Sequence, residues 1–294
     1  MLLQPDCIAC ILKMSISIIR KLSLEEARIK ELYSEILEIP ALRGRHWNVT
    51  SPEIIELVMR KVNLAAGDPD PFYAEKADIN KRLTKMVPFL KGLINKAEDP
   101  LYVAVKLAII GNSIDFMTPQ AASDLETTLK QRLETSLSEN KFAAFKRQLA
   151  QSKLVLYLGD NAGEIVFDKI LIETIREHYD PKIVFVVRNV PTLNDATLKE
   201  ARSVGMEHTT KVIANGIDGP LPSTQLKRCS AEVRELAGRA DLIISKGGGN
   251  FDCLHEELKE LPNITFLLIS KCHPYNNYFS KNLYQPILAN FFRA

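Results

Sequence analysis

From residue 154 onward, short apolar runs alternate with longer stretches of helical period, and this alternation fixes the fold class. Runs read as strands at 154–158, 183–187, 211–214, 242–245 and 264–269, with helical stretches at 164–178, 196–204, 230–238 and 253–261. Strands separated by helices pair in parallel, with the helices packed on the faces of the sheet. The expected class is therefore α/β with a parallel sheet. Each run ends in a loop rich in Gly, Asn, Asp or Pro: GDNAG, RNVPTLND, NGIDGPLP, SKGGGN and KCHPYNN. In such a topology all of these loops emerge on one edge of the sheet, where ligands bind.

The first loop sets the expected chemistry. The apolar run stops at Gly159, Asp160 and Asn161 follow at once, and Ala162, Gly163 and Glu164 open a helix. A carboxylate and an amide supply oxygens for a hard cation, and the N–H groups of the following turn suit a phosphate. Asn194, Asp195 and Thr197 follow the second run and Asp218 the third. Lys246, Gly247, Gly248, Gly249 and Asn250 follow the fourth, and Lys271, Cys272 and His273 the fifth. Two or three oxygen ligands leave open positions on Mg²⁺ or Mn²⁺, which keep waters and bind substrate phosphate. A lysine could neutralise phosphate oxygens, and glycines let backbone N–H groups approach them. Ordinary readings stand beside these. Asp195 suits a helix N-cap, the glycine triplet a turn, and Glu164 and Asp168 are acids placed where a helix dipole favours them. The residues alone support a phosphate- or nucleotide-handling α/β protein.

The first half reads as helical. Asp6 is the expected N-cap of a helix whose apolar face carries Cys7, Cys10, Ile11, Met14, Ile18 and Leu22, and Ser51-Pro52-Glu53 starts another. Further helices are expected at 73–83, 86–97 and 100–110, with polar helices between 119 and 150; GDPDPF at 67–72 is a rigid loop. The expected organisation is a helical domain over 1–150 and an α/β domain over 151–294. Of 294 residues, 25% are charged with a net +2, and no segment is strongly basic, which argues against a nucleic-acid partner. No apolar run reaches bilayer length, which argues against a membrane partner. The start, MLLQPDCIAC, has no basic region before Asp6, and five cysteines suit a reducing compartment, so a cytoplasmic location is expected. Cys7 and Cys10 lie one helical turn apart. A zinc site would need two further ligands, so apolar packing and a metal or redox role both stay open.

The phrases DNAGEIVFD, NDAT, SKGGGNFD and GNSIDF, with CIAC and DPDPFYAEKADIN, resemble the damage-control phosphatase family, long catalogued as a domain of unknown function; the CxxC start resembles its stand-alone prokaryotic branch. The resemblance runs from Cys7 to about Cys272. It implies a Rossmann-like α/β/α part with a helical N-terminal part packed against it, and divalent-metal-dependent hydrolysis of small phosphate monoesters such as sugar phosphates or damaged and surplus phosphometabolites. Carried over by motif, it implies Asp160, Asn161 and Asp195 as ligands of Mn, Mg, Co or Ni, and Lys246 as holder of the phosphate. Gly163 and the glycine loop, with Gly248 and Asn250, would bind substrate, Glu164 would orient water or substrate, and Asn112 and Asp115 would close the site. Two departures stand out: the third glycine of SKGGGN, and the ending CHPYNNYFSKN, through which His273, Tyr275 and Asn276 could reshape substrate choice. Beyond it, residues 281–294 are expected to form an apolar hook or to bind a partner chain, and a homo-oligomer is possible. Two other readings are a carboxyl methyltransferase using S-adenosylmethionine, since a glycine-rich loop after a strand suits that cofactor, and a non-catalytic phosphometabolite-binding module.

Overall fold

A computed structural model describes residues 1–112 and 122–293 of the chain. Its centre is a sheet of β1 (Leu154–Leu158), β2 (Lys182–Val187), β3 (Lys211–Ala214), β4 (Leu242–Lys246), β5 (Ile264–Ile269) and β6 (Pro286–Phe291). The order is β3-β2-β1-β4-β5-β6; β1 to β5 run parallel and β6 runs antiparallel to β5. The order reverses between β1 and β4, so the crevice at their C-terminal ends is the topological switch point of the sheet. The α/β class expected from the sequence is the class observed.

The sixth strand was not expected. Residues 286–291 pair along β5 from Ile269↔Pro286 to Ile264↔Phe291, so this part of the tail completes the sheet. Pro286 stands at the first position of an edge strand, where a missing N–H costs no ladder bond. Leu288 packs into the apolar cluster on one face of the sheet, Ile287 and Ala289 into that on the other, as strand alternation requires.

The helices are α1 (Pro5–Ile19), α2 (Glu26–Leu37), α3 (Ser51–Ala66), α4 (Tyr73–Thr84), α5 (Val87–Asn95), α6 (Pro100–Gly111), α7 (Ala122–Leu133), α8 (Glu139–Gln151), α9 (Glu164–His178), α10 (Leu198–Ser203), α11 (Ala231–Arg239), α12 (Gly247–His255) and α13 (His273–Phe279). The cap of α1 is Gln4 rather than Asp6, with Pro5 at the first helical position and Asp6 in the first turn. At α3 the capping residue is Thr50, whose N–H and hydroxyl both donate to the Glu53 carboxylate.

The apolar cores part at a different place from the expected boundary at 150/151. Helices α1 to α3 close around their own cluster, with Ile19, Leu32 and Val58 at its centre. Leu107, Ile109 and Phe145 instead share one cluster with Tyr157, Phe167 and Phe185, so α6 and α8 form a layer on the sheet itself. Gly111 makes the close approach of α6 to α9 possible: a Cβ there would sit 3.0 Å from the Phe167 ring. Leu156, Val186 and Phe266 face the opposite cluster, covered by α11 and α12. Among the described residues no helix is long and apolar enough to cross a membrane.

Candidate active site at the switch point

A cavity of about 720 Å³ opens over the C-terminal ends of β1 and β4. Its floor includes Asp160, Asn161, Asn194 and Asp195, its sides include Gly248, Gly249, Lys271 and Asn112, and α1, α3 and Phe72 wall it on the helical side.

The local backbone brings Asp160 and Asp195 together. The Ala196 N–H donates to the Asp160 carbonyl and the Ala162 N–H to that of Asn194, each at 2.8 Å, and Asn161 pairs with Asp195 as an antiparallel bridge. The loop after β2 is thereby stitched to the loop after β1. Asp195 is not the helix cap that its position allows. Thr197 caps α10, its N–H and hydroxyl donating to Glu200 at 2.8 and 2.6 Å, which leaves the Asp195 carboxylate free for the site. Leu193, just before, carries φ 43°, a left-handed conformation costly for a bulky residue, and it lines the cavity.

A charge network centred on Arg188, the first residue of the loop RNVPTLND, joins these groups. Arg188, one residue beyond β2, donates through Nε to Asp195 at 2.6 Å and through an Nη to Asp160 at 3.0 Å; its other Nη donates to Thr224 at 3.1 Å. It is buried. The Asn112 amide donates to Asp160 at 3.1 Å and to Glu164 at 2.9 Å, and the Asn161 amide to the same two carboxylates at 2.8 and 2.9 Å. Both amide nitrogens are thus committed to the two carboxylates, and among the described residues Oδ1 of Asn112 is buried without a partner. Asp115, expected beside Asn112, lies outside the described residues.

Lys246 is placed otherwise than expected. It is fully buried, and its ammonium donates to the Ala108 carbonyl at 2.8 Å and to Glu164 and Asp168 at 2.6 Å each. All three of its donors are used beneath the cavity floor. Its contacts make it the counter-ion of two carboxylates, not a group facing phosphate. Glu164 and Asp168 gain in importance accordingly: Asp168 also accepts the Tyr157 hydroxyl at 2.7 Å. Burial pushes Asp168 up to about 6 against the pull of Lys246, while Lys246 and Asn112 hold Glu164 below the usual carboxylate range despite burial.

Two other expected substrate contacts are committed elsewhere. The Gly163 N–H donates to Asn80 of α4 at 2.6 Å. The Asn250 amide donates to the Gly159 and Lys246 carbonyls at 3.0 and 2.8 Å, and its oxygen accepts the Thr224 N–H at 2.6 Å, so it splices β1, β4 and the loop after β3. Asp218 is exposed beside Arg228 and outside the cavity. Of the divergent ending, Tyr275 lines the cavity, whereas Asn276 accepts the Ser270 hydroxyl and His273 meets Asn277. Cys7, Cys10 and Cys272 line the cavity as free thiols.

The glycine triplet is the first turn of α12 rather than a loop. No side chain caps this helix, first-turn N–H groups have no intrahelical acceptor, and Gly248 and Gly249 of that turn line the cavity, a place suited to an anion. Gly247 has φ 78°, and a Cβ on it would lie 1.9 Å from the Asp160 carboxylate. Gly247→Ala is therefore expected to cost about 1–3 kcal/mol through backbone strain and to displace Asp160. A melt shows the first effect, and a drop in phosphatase turnover larger than that of Gly238→Ala, which meets nothing, shows the second.

Asp160 and Asp195 bring two carboxyl groups to the cavity, and among the described residues no group of three or more His, Cys, Asp or Glu is arranged to hold a metal ion. Asp160, Glu164, Asp168 and Asp195 are all buried, and the buried cations bonded to them are Arg188 and Lys246. Burial, then Glu164 and Asp195, push Asp160 well above the usual carboxylate range, with Arg188 opposing. Burial raises Asp195 as well, again against Arg188. Carboxylates held together in low dielectric call for positive charge.

The sequence profile of the damage-control phosphatase ARMT1-like domain matches residues 3–285. The chain belongs to this family. A damage-control phosphatase of Pyrococcus horikoshii is 33% identical over 234 residues, covering 80% of this chain and 75% of that protein. A damage-control phosphatase of Archaeoglobus fulgidus is 28% identical over 277 residues, covering 93% and 94%. A crystal structure of a DUF89 family protein from Pyrococcus horikoshii superposes with a TM-score of 0.86 at 28% identity, covering 98% of each chain. The family resemblance and its α/β fold are thereby established, and the relatives support a phosphatase role for this family member.

Proposed function

We propose that this damage-control phosphatase family member hydrolyses small phosphate monoesters, sugar phosphates or damaged and surplus phosphometabolites, with a divalent metal (Mn, Mg, Co or Ni) held by Asp160, Asn161 and Asp195. The observation that carries this reading is the meeting of the Asp160 and Asp195 carboxyl groups in the cavity at the switch point, beside the first turn of α12. Such a metal, when bound, polarises the phosphoryl group and lowers the pKa of water.

The remaining work falls to the chain. Arg188 bonds Asp160 and Asp195 together, and the Asn112 and Asn161 amides each donate to Asp160. The first-turn N–H groups of α12 bind phosphoryl oxygens at a helix N-terminus, where charge in the transition state is stabilised without reorganisation. Lys271, exposed at the rim, carries the charge expected of Lys246; its field already lowers Asp160 and Glu164. Helices α1 and α3 screen the site from bulk water.

Removal of divalent metal with a chelator is expected to reduce hydrolysis of p-nitrophenyl phosphate by about 10²-fold or more, on the scale of losing a main electrostatic contributor. Return of Mn²⁺, Co²⁺, Ni²⁺ or Mg²⁺ should restore it. Full activity in chelator would sink the metal assignment, and no turnover with any of these metals would sink the phosphatase reading.

A further inference from the structure

Three thiols line the cavity, and hydrolysis of a phosphate ester uses none of them. Cys7 and Cys10 lie one turn apart on α1, so they share a face of that helix. Cys272 comes from the other end of the chain, where it follows β5 and stands at the N-cap of α13. All three are free; Cys10 is exposed and Cys7 and Cys272 are half-buried, whereas Cys229 and Cys253 are buried.

The three are near enough for the charge of one to act on another. Burial pushes the Cys272 thiol up to about 11, and Asp252, Cys7 and Cys10 raise it as well. Burial, and then Cys7, raise Cys10. Tyr275, on the first turn of α13, is raised by burial, Asp252 and Cys272, and Cys7 reaches it too. Of the two thiols on α1, Cys7 thus acts on both Cys272 and Tyr275, which turns it toward the start of α13. Its Sγ accepts the Gln4 N–H at 3.4 Å. A closed zinc site takes four ligands, whereas a disulfide needs only two sulfurs.

The pair spans two separately packed parts of the molecule. Helix α1 belongs to the apolar cluster around Ile19, Leu32 and Val58, which is distinct from the two clusters on the sheet. Cys272 follows a strand buried along its whole length and adjoins Lys271 on the cavity rim. A bond between Cys7 and Cys272 therefore ties the helical wall of the cavity to its α/β rim. A bond between Cys7 and Cys10 would tie nothing, because the helix already sets their spacing.

We propose that Cys7 and Cys272 are a redox-active pair that a peroxide oxidises to a disulfide, locking α1 to the rim of the site. Neither metal nor phosphate takes part. The Cys7 sulfur attacks one peroxide oxygen, the O–O bond breaks, and a sulfenic acid and one water result. The Cys272 sulfur then attacks the Cys7 sulfur; the S–S bond forms, the S–O bond breaks, and the oxygen leaves as a second water with the Cys272 proton. Two thiols are oxidised and one peroxide is reduced. A dithiol reverses the bond by exchange.

Treatment of the full chain with hydrogen peroxide, then alkylation of the remaining thiols, digestion and mass spectrometry, tests the pairing on the wild type. The peptide carrying Cys7 should be found joined to the one carrying Cys272, with Cys10, Cys229 and Cys253 alkylated. Closing so long a loop should raise the melting temperature by about 5 °C or more, and dithiothreitol should return it to the starting value. Cys272→Ser should abolish the link and the rise, and Cys229→Ala should keep both. A link between Cys7 and Cys10, a link from Cys10 to Cys272, or higher oxides of Cys7 without any link would each overturn the pair. So would a Cys7–Cys272 link that leaves the melting temperature unchanged, since α1 would then not be locked.

Discussion

Asp160→Asn lowers kcat/KM for p-nitrophenyl phosphate on the order of 10³-fold with any added metal, while the metal-free protein melts no lower than wild type. The activity loss follows from removing one of two charged oxygen ligands where transition-state charge is met; single groups of this kind are worth about 10²–10³-fold. The stability outcome follows from the sign of the carboxyl shift. Burial, Glu164 and Asp195 raise Asp160 in the fold above its unfolded value. A group so raised costs stability as pH climbs from its unfolded pKa through its folded one, since the folded state holds more protons than the unfolded across that window. An amide removes that cost, and so the variant's advantage in melting temperature should grow as pH is raised from about 4, the unfolded carboxyl range, toward neutral. Turnover close to wild type, or a variant that melts far below it, would each falsify the placement of Asp160 in a strained, functional carboxylate cluster. Loss of function with retained stability is the signature of residues held for chemistry rather than for folding.

Lys246→Met lowers stability by about 3–5 kcal/mol, the loss expected when one partner of a buried ion pair is removed. In a chain of this size that corresponds to roughly 10 °C or more in melting temperature. The substitution keeps the apolar stem and removes the ammonium, so Glu164 and Asp168 stay buried with their main counter-charge gone. Adding Glu164→Gln and Asp168→Asn should recover much of the loss, since neutral amides need no counter-ion. A single variant as stable as wild type would show that Lys246 is not the counter-ion its contacts describe. Recovery by the two neutralising changes separates charge from packing.

Much of the site was legible because strand ends and helix starts carry their own punctuation. The run LVLYL followed by GDN places Asp160 and Asn161 at the tip of β1 from sequence alone, and Asn112, on the far helical half, was recoverable by resemblance and meets Asp160 in the fold. Arg188 opens the loop RNVPTLND but was not singled out. A single Arg after an apolar strand carries no motif; its meaning comes from β2 lying beside β1 in the sheet, which aims the guanidinium at both carboxylates. The one signal available was a charged residue in register with the tip of a buried strand. Lys246 was singled out by position, yet its direction depends on α6 and α9 closing beneath it, which no local pattern encodes.

The sequence by itself determined the α/β class, the strands β1 to β5, the loops that form the rim, and the acidic and amide residues they carry. Hydrophobic period and turn residues are local properties, and each is written within a dozen neighbouring positions. The tertiary structure alone decided the strand order, the antiparallel β6 on the edge, the helical layer sharing its core with the sheet, and the partner of every buried charge. Those depend on which elements meet. A carboxylate's role as ligand, cap or counter-ion is set by the groups brought within about 3 Å, the reach of a hydrogen bond, from residues as far apart in the chain as Ala108, Glu164, Asp168 and Lys246.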